Sequence, residues 1–343
     1  MDPDGCWYIS PMEEIGIGSD QSPIEPARSY SIEILRGLEI FLSTHPDYSG
    51  HPLKIMEQSV RCFPGQVGND ISQFTGLPNA IAFIGPACSL DSYLSLRLLS
   101  DAGIPVLTPL TLAAEGHFPS WLPLLQDANQ TVASITNLLI EKFSTLSFGW
   151  IIENTAAQRE FLTLICQKLE KSDRTCLEPV LVDAGVINLS PYLSSNLLEE
   201  TPVWIFLYSS ASFSNLADLN PILEHTTVIL LDPNGDKPYL QQSPLATYYF
   251  IGQSQTAIPQ EFTLSYEKRY NGQNTLISYK SYQAAGMIYE ALENSAILLK
   301  NNAIILPRQD FEEELAGLLP APGGLCLTPI EFYQFILQDQ ECP

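Results

Sequence analysis

Basic residues are scarce in this chain. Sixteen lysines and arginines stand against 39 aspartates and glutamates, a formal charge of -23. A nucleic-acid groove needs a dense cationic surface, so no nucleic-acid partner is expected. An anionic membrane surface repels the chain for the same reason. Long apolar runs are missing too. The longest, such as Thr227-Val228-Ile229-Leu230-Leu231, have the length of a strand and not the ~20 residues of a membrane span. The four histidines, His45, His51, His117 and His225, are scattered, and read as solvated loop residues. The seven cysteines, Cys6, Cys62, Cys88, Cys166, Cys176, Cys326 and Cys342, form no C-x-x-C pair and no cluster with histidine. That spacing suits no zinc site, and no metal is expected. G-x-S-x-G, H-E-x-x-H, the P-loop and the dinucleotide fingerprint are likewise absent, so neither enzyme nor cofactor is expected. Acidic runs such as Glu199-Glu200 and Glu312-Glu313-Glu314 read as solvated charges.

What is present is material for large cores. Apolar residues make up 45% of 343 residues, enough for two domains of ~150 residues each. Short apolar strands alternate with amphipathic helices. Ile15 to Gly18 reads as a strand, followed by a helix over 31–43 with Ile34, Leu35, Leu38, Phe41 and Leu42 on one face. Strands at 53–56, 81–84 and 105–107 alternate with helices at 68–76 and 90–102. A second series places helices at 130–142 and 158–170 among strands at 148–152, 179–182, 203–207, 228–231 and 248–251. A helix pair at 260–270 and 279–300 follows, then an irregular end with a last strand near 333–337. Repeated strand-helix-strand units imply right-handed crossovers and parallel sheets, hence two open α/β domains. Ligands of such sheets bind beyond the carboxyl ends of the strands.

One stretch marks such an end. In IAFIGPACSLDS, residues 81–92, an apolar strand empties through Gly85-Pro86 into a small, hydroxyl-bearing turn that feeds a helix. A helix N-terminus carries partial positive charge and free N–H groups. Ser89 there serves either as a plain N-cap or as part of an anion or polar-group site. Asp91 close by opposes an anion.

The ordered series of segments resembles a type I periplasmic binding protein, and more narrowly the leucine/isoleucine/valine-binding group of ABC-transporter substrate-binding proteins. SIEILRGLEIFLS is similar to that group's first helix. IAFIGPACSLDS followed by AGIPVLTPLT is similar to its "IGP.SS" and "AGIP.ISP" pair. LQDANQ resembles its crossover into the second lobe, and LSYEKRYNG with SYKSYQAAGMIYEAL its late helices. The resemblance spans roughly residues 13–340. It implies two Rossmann-like lobes with mainly parallel sheets joined by three hinge strands. Lobe 1 would comprise 1–128 and 254–327, lobe 2 would comprise 129–253 and 328–343, with a ligand held in the cleft between them.

The implied function is an extracytoplasmic receptor that binds a small polar solute, an amino acid, amide or related compound, and hands it to an ABC permease as a monomer or weak dimer. The alternative is a sensing or degenerate regulatory module of a larger receptor with the same fold. The resemblance implies a periplasmic or extracellular location, although the opening MDPDGC shows neither the basic nor the apolar region of a signal sequence. It also implies a disulfide between Cys62 and Cys88, two buried thiols being the alternative. A Cys166–Cys176 pair across a helix-to-strand turn stays open.

Carried over to this sequence, the resemblance gives Ser89 contact with a ligand carboxylate and Leu110 a backbone contact; Leu112 falls where threonine is expected, with Thr111 next to it as the substitute hydroxyl. Tyr30 falls where the group has an aromatic wall, an exposed tyrosine being the alternative. In lobe 2, Gln158 stands where a tyrosine is usual. Asn234 stands where amino-acid receptors carry the acid that binds the ammonium, with Asp232 and Asp236 flanking it, and Ser210 lies in a serine-rich loop. An unpaired buried ammonium costs several kcal/mol, so Asn234 and Gln158 suit an amide or other neutral solute unless an aspartate reaches the site.

Overall fold

The computed structural model describes residues 5–23, 27–60, 67–87, 92–111, 118–125, 128–143, 147–154, 156–183, 190–192, 203–207, 226–232, 247–253, 258–320 and 325–329. The chain divides into two compact units. One comprises Met1–Leu125 with Ala257–Pro322, the other Gln126–Thr256 with Gly323–Pro343.

In unit 1 the chain forms β1 (Cys6–Ile9), β2 (Ile15–Gln21), α1 (Ala27–Thr44), β3 (Asp47–Tyr48), β4 (His51–Ser59), α2 (Val67–Thr75), β5 (Ala80–Ile84), α3 (Ser92–Asp101), β6 (Val106–Thr108) and β7 (Trp121–Pro123). The main sheet runs β3-β4-β2-β5-β6-β7 and is parallel except for β3. All five residues of β5 are buried, as expected of a parallel strand covered on both faces. That double burial is why this strand shows in the sequence as an unbroken apolar run.

Unit 2 contributes α4 (Ala128–Lys142), β8 (Ser147–Glu153), α5 (Ala156–Glu170), β9 (Thr175–Cys176), β10 (Val180–Val182), β11 (Val203–Leu207), β12 (Thr227–Leu231) and β13 (Thr247–Gln253). Its core gathers Val132, Ile135 and Leu139 from α4 and Phe161, Leu162, Ile165 and Leu169 from α5 against Phe148, Trp150, Ile152, Ile205 and Ile229. Cys166 and Cys176 are disulfide-bonded, with Cα atoms 5.7 Å apart, which closes the question the sequence left open. The bond ties α5 to β9. Cys62 and Cys88 lie outside the described residues.

The chain then returns to unit 1 with α6 (Gln260–Tyr270), α7 (Leu276–Ser295), β14 (Ile297–Leu298), β15 (Ile304–Pro307) and α8 (Arg308–Gly317), and ends its described course with β16 (Leu325–Pro329). β16 lies antiparallel to β13, so the unit 2 sheet runs β10-β8-β11-β12-β13-β16 with β9 on β8.

Four local expectations are corrected. The long helix spans 276–295 rather than 279–300. It starts early because Thr275 and Ser278 form a reciprocal capping box, and it stops where Ala296 turns extended. The end read as irregular contains α8, whose buried apolar residues are only Phe311 and Leu315, too few for a clear periodic signal. An antiparallel sheet, β1-β15-β14, was not foreseen. His51 is not solvated: it is fully buried, with Nδ1 3.0 Å from the Glu13 carbonyl and Nε2 2.7 Å from that of Asn302. The strand expected near 333–337 lies outside the described residues.

α7 runs alongside α1 in the same direction. The Thr275 hydroxyl donates to Glu33 at 2.9 Å, Tyr282 and Tyr289 meet Phe41, and the Tyr48 hydroxyl donates to the Leu292 carbonyl. Gly37 permits this approach, because a Cβ there would collide with the Ser278 carbonyl. Glu33 also accepts from Tyr266 of α6 at 2.7 and 2.8 Å, which ties all three helices together.

Candidate functional site

In unit 1 the chain leaves β2, pairs on one side with β4, then crosses to pair on the other side with β5. The sheet order therefore reverses at β2, and the crevice outside the carboxyl ends of β2 and β5 is the default ligand position of such a sheet. The structure extends β2 beyond the expected Gly18 to Gln21, which brings Ser19 and Asp20 to that edge, both fully buried.

The Asp20 carboxylate accepts the Ala87 N–H, at 3.0 Å to Oδ1 and 2.8 Å to Oδ2. Between them, Gly85 has φ +147° and the Gly85–Pro86 peptide is cis. A side chain at position 85 would meet Asp20 Oδ1 and the Phe83 ring, so only glycine fits this turn. From the opposite side, the Thr108 hydroxyl donates to the Gly85 carbonyl at 2.8 Å and accepts from the Trp121 indole N–H at 3.0 Å. The turn that launches residues 88–91 is thus clamped from β2 and from β6. The Ser19 hydroxyl beside Asp20 is buried with no hydrogen-bond partner among the described residues. At the start of α1, the Ser31 hydroxyl accepts the Ser22 N–H at 3.1 Å and donates to the Ala27 carbonyl at 2.8 Å.

Of the expected unit 1 residues, Leu110, Thr111 and Tyr30 are described. Leu110 and Thr111 are buried just past β6, which leaves the Leu110 side chain in the core and only its backbone for a ligand. Tyr30 is half-buried and packs against the unit 1 core. Ser89 and Leu112 lie outside the described residues.

Unit 2 repeats the pattern within itself: β10 and β11 flank β8, so order reverses at β8. β8 ends in a buried acid, Glu153. The Glu153 N–H donates to the Gln158 amide oxygen at 2.7 Å, and the Gln158 NH₂ donates back to the Glu153 carboxylate at 3.3 Å. Gln158 therefore braces the strand end. Asp232 is buried at the end of β12, its N–H donating to the Ile251 carbonyl at 3.1 Å. Asn234, Asp236 and Ser210 lie outside the described residues. Among the described residues no group of three or more histidine, cysteine, aspartate or glutamate side chains could hold a metal, and no helix is long and apolar enough to cross a membrane.

The sequence offers no reading of Asp20, Trp121 and Glu153 as site residues. Glu153 carries a signal, as an acid that ends the apolar run of β8 just before a helix; Asp20, inside a Ser-Asp-Gln stretch, carries none.

No protein family profile and no curated protein sequence matches this chain. Solved structures do. A leucine-binding protein, LivK, from Thermotoga maritima superposes with a TM-score of 0.67 at 11% identity, over 88% of this chain and 87% of that one. A solute-binding protein of an ABC transporter from R. palustris, in complex with benzoate, gives 0.66 at 12% identity, over 89% and 85%. The branched-chain amino acid transporter substrate-binding protein LivJ from Streptococcus pneumoniae, in complex with isoleucine, gives 0.65 at 12%, over 88% of each chain. The chain has the mixed α/β fold of the type I periplasmic binding proteins.

Proposed function

We propose that this chain is a solute-binding receptor that takes a small polar molecule at the carboxyl edges of its sheets and hands it to an ABC permease. The observation that carries the reading is the clamped turn at the unit 1 reversal point. A buried acid and a threonine-tryptophan pair fix Gly85 to Ala87, which is the pre-organisation a binding turn needs. The fold shared with solute-binding proteins over most of both chains supports it. So does the Cys166–Cys176 bond, since disulfides persist in oxidising, extracytoplasmic compartments. The role is binding without bond-making.

Thermal-shift screening against amino acids, amides, urea and small carboxylates tests the reading, because a ligand that binds only the folded state raises its melting temperature. A saturable shift with one chemical class is expected. Silence across the panel would sink the receptor reading and leave a sensor module that has lost its ligand.

A further inference from the structure

His51 opens β4, fully buried, with a backbone carbonyl oxygen at each of its ring nitrogens. Nδ1 lies 3.0 Å from the carbonyl of Glu13, in the segment that leads into β2. Nε2 lies 2.7 Å from the carbonyl of Asn302, in the turn between β14 and β15. A carbonyl oxygen only accepts, so each contact needs a ring N–H, and a neutral imidazole carries one where an imidazolium carries two. Turning the ring over sets a C–H against each oxygen and satisfies neither. Whichever tautomer it takes, the neutral ring leaves one nitrogen lone pair facing a carbonyl inside the core.

No acid stands by to hold the charge instead. The titratable side chains on the segments around the ring are Glu13, Glu14, Asp47, Tyr48, Lys54, Glu293 and Lys300. Glu14 pairs with Lys54 at 2.9 Å. The Glu13 carboxylate accepts the Ser10 N–H at 2.8 Å, and that of Asp47 accepts the Gly50 N–H at 3.2 Å. The Tyr48 hydroxyl donates to the Leu292 carbonyl, while Glu293 and Lys300 are exposed. Burial without a counter-ion opposes the charged ring, and two charge-assisted hydrogen bonds hold it. Opposed in this way, the ring gains and loses its second proton with the medium.

We propose that His51 is a proton-operated latch. With both nitrogens protonated it ties the β14–β15 turn to the roots of β2 and β4. On losing one proton it keeps one carbonyl and releases the other. β15 pairs with β1 on one side and β14 on the other, so the latch fastens that whole small sheet to the amino edge of the main one. The Asn302 side chain still donates to the Ser49 carbonyl at 3.4 Å, which makes the released state a loosened turn and not an unfolded one. The folded chain holds the second proton more firmly than the unfolded chain does. The latch's contribution is therefore whole below about pH 6.5, where an unfolded histidine is protonated too, and fades as pH climbs beyond it.

The test follows the full chain, with ¹⁵N-labelled histidine, by NMR between about pH 5 and pH 9, either side of the ordinary histidine range. The His51 ring should show two N–H groups at the acid end and one at the alkaline end. Its signals are assigned by their loss in His51→Gln or, should that variant not fold, by replacing the other three histidines with glutamine. Hydrogen exchange reads the consequence. Corrected for the direct effect of pH on exchange, the amides of β15 should open about tenfold more often at the alkaline end, the worth of one charge-assisted bond. A folded His51→Gln should show no such difference. A ring that keeps one protonation state across the range overturns the latch, and so do β15 amides that ignore the ring's titration.

Discussion

The carboxylate of Asp20 holds the backbone N–H of Ala87 across 67 residues of sequence, with both oxygens within 3.0 Å. The contact fixes where β5 releases the chain. Replacing Asp20 by alanine strands a buried donor, which typically costs about 1–3 kcal/mol. Urea unfolding should show a loss of that size, with weaker binding of any ligand found by screening. A change below about 0.5 kcal/mol, within the range of ordinary surface substitutions, would mean that the turn holds itself.

Gly37 faces the Ser278 carbonyl directly. Alanine is the better helix former by about 1 kcal/mol, so propensity alone predicts that Gly37→Ala stabilises. Overpacking against a backbone atom, which cannot rotate away, typically costs about 1–3 kcal/mol. The second effect should win, giving a net loss and a lower melting temperature. A gain on calorimetry would show that α1 and α7 separate freely.

The Cys166–Cys176 bond spans ten positions. In the chain-entropy model such a link stabilises by roughly 2.5–3 kcal/mol. Serine at both positions should lower stability by about that amount, and intact mass without reductant should report the bond in the wild type. Two free thiols in that measurement would remove the support it gives to an oxidising location.

Burial holds the Lys280 pKa below its ordinary value, so in the window between the two the unfolded chain binds a proton that the folded chain has released. Stability then rises with pH through that window. Wild type should therefore be weakest relative to Lys280→Met at neutral pH, and the gap should narrow as pH climbs toward the ordinary lysine value near 10.4. Parallel denaturation curves across pH would show instead that the amine is hydrated.

Much of this architecture is legible in the sequence for one physical reason: parallel strands buried on both faces must be apolar throughout. IAFI, VWIFL and TVILL announce themselves that way, and β5, β11 and β12 lie at those positions. Elements that bury little escape notice. β14 is exposed at both residues, and α8 sinks only Phe311 and Leu315. The site is harder still. Ser19, Asp20 and Gln21 read as a polar loop after a short strand, because nothing local reveals that β4 and β5 flank them. Lys280 carries no local mark of burial, since only the packing of neighbouring elements decides that this turn of α7 is buried.

Tyr266 and Glu33 are hydrogen-bonded although 233 positions separate them, and the strand that opens the described chain pairs with β15. A ribosome therefore delivers Met1–Leu125 of unit 1 long before its complement, Ala257–Pro322. Until α7 emerges, Ile34, Leu38 and Phe41 have no finished core to enter. The nascent chain must carry this greasy helix through the whole synthesis of the other unit, an interval in which a holdase or a slow, aggregation-prone wait is built into the order of the gene.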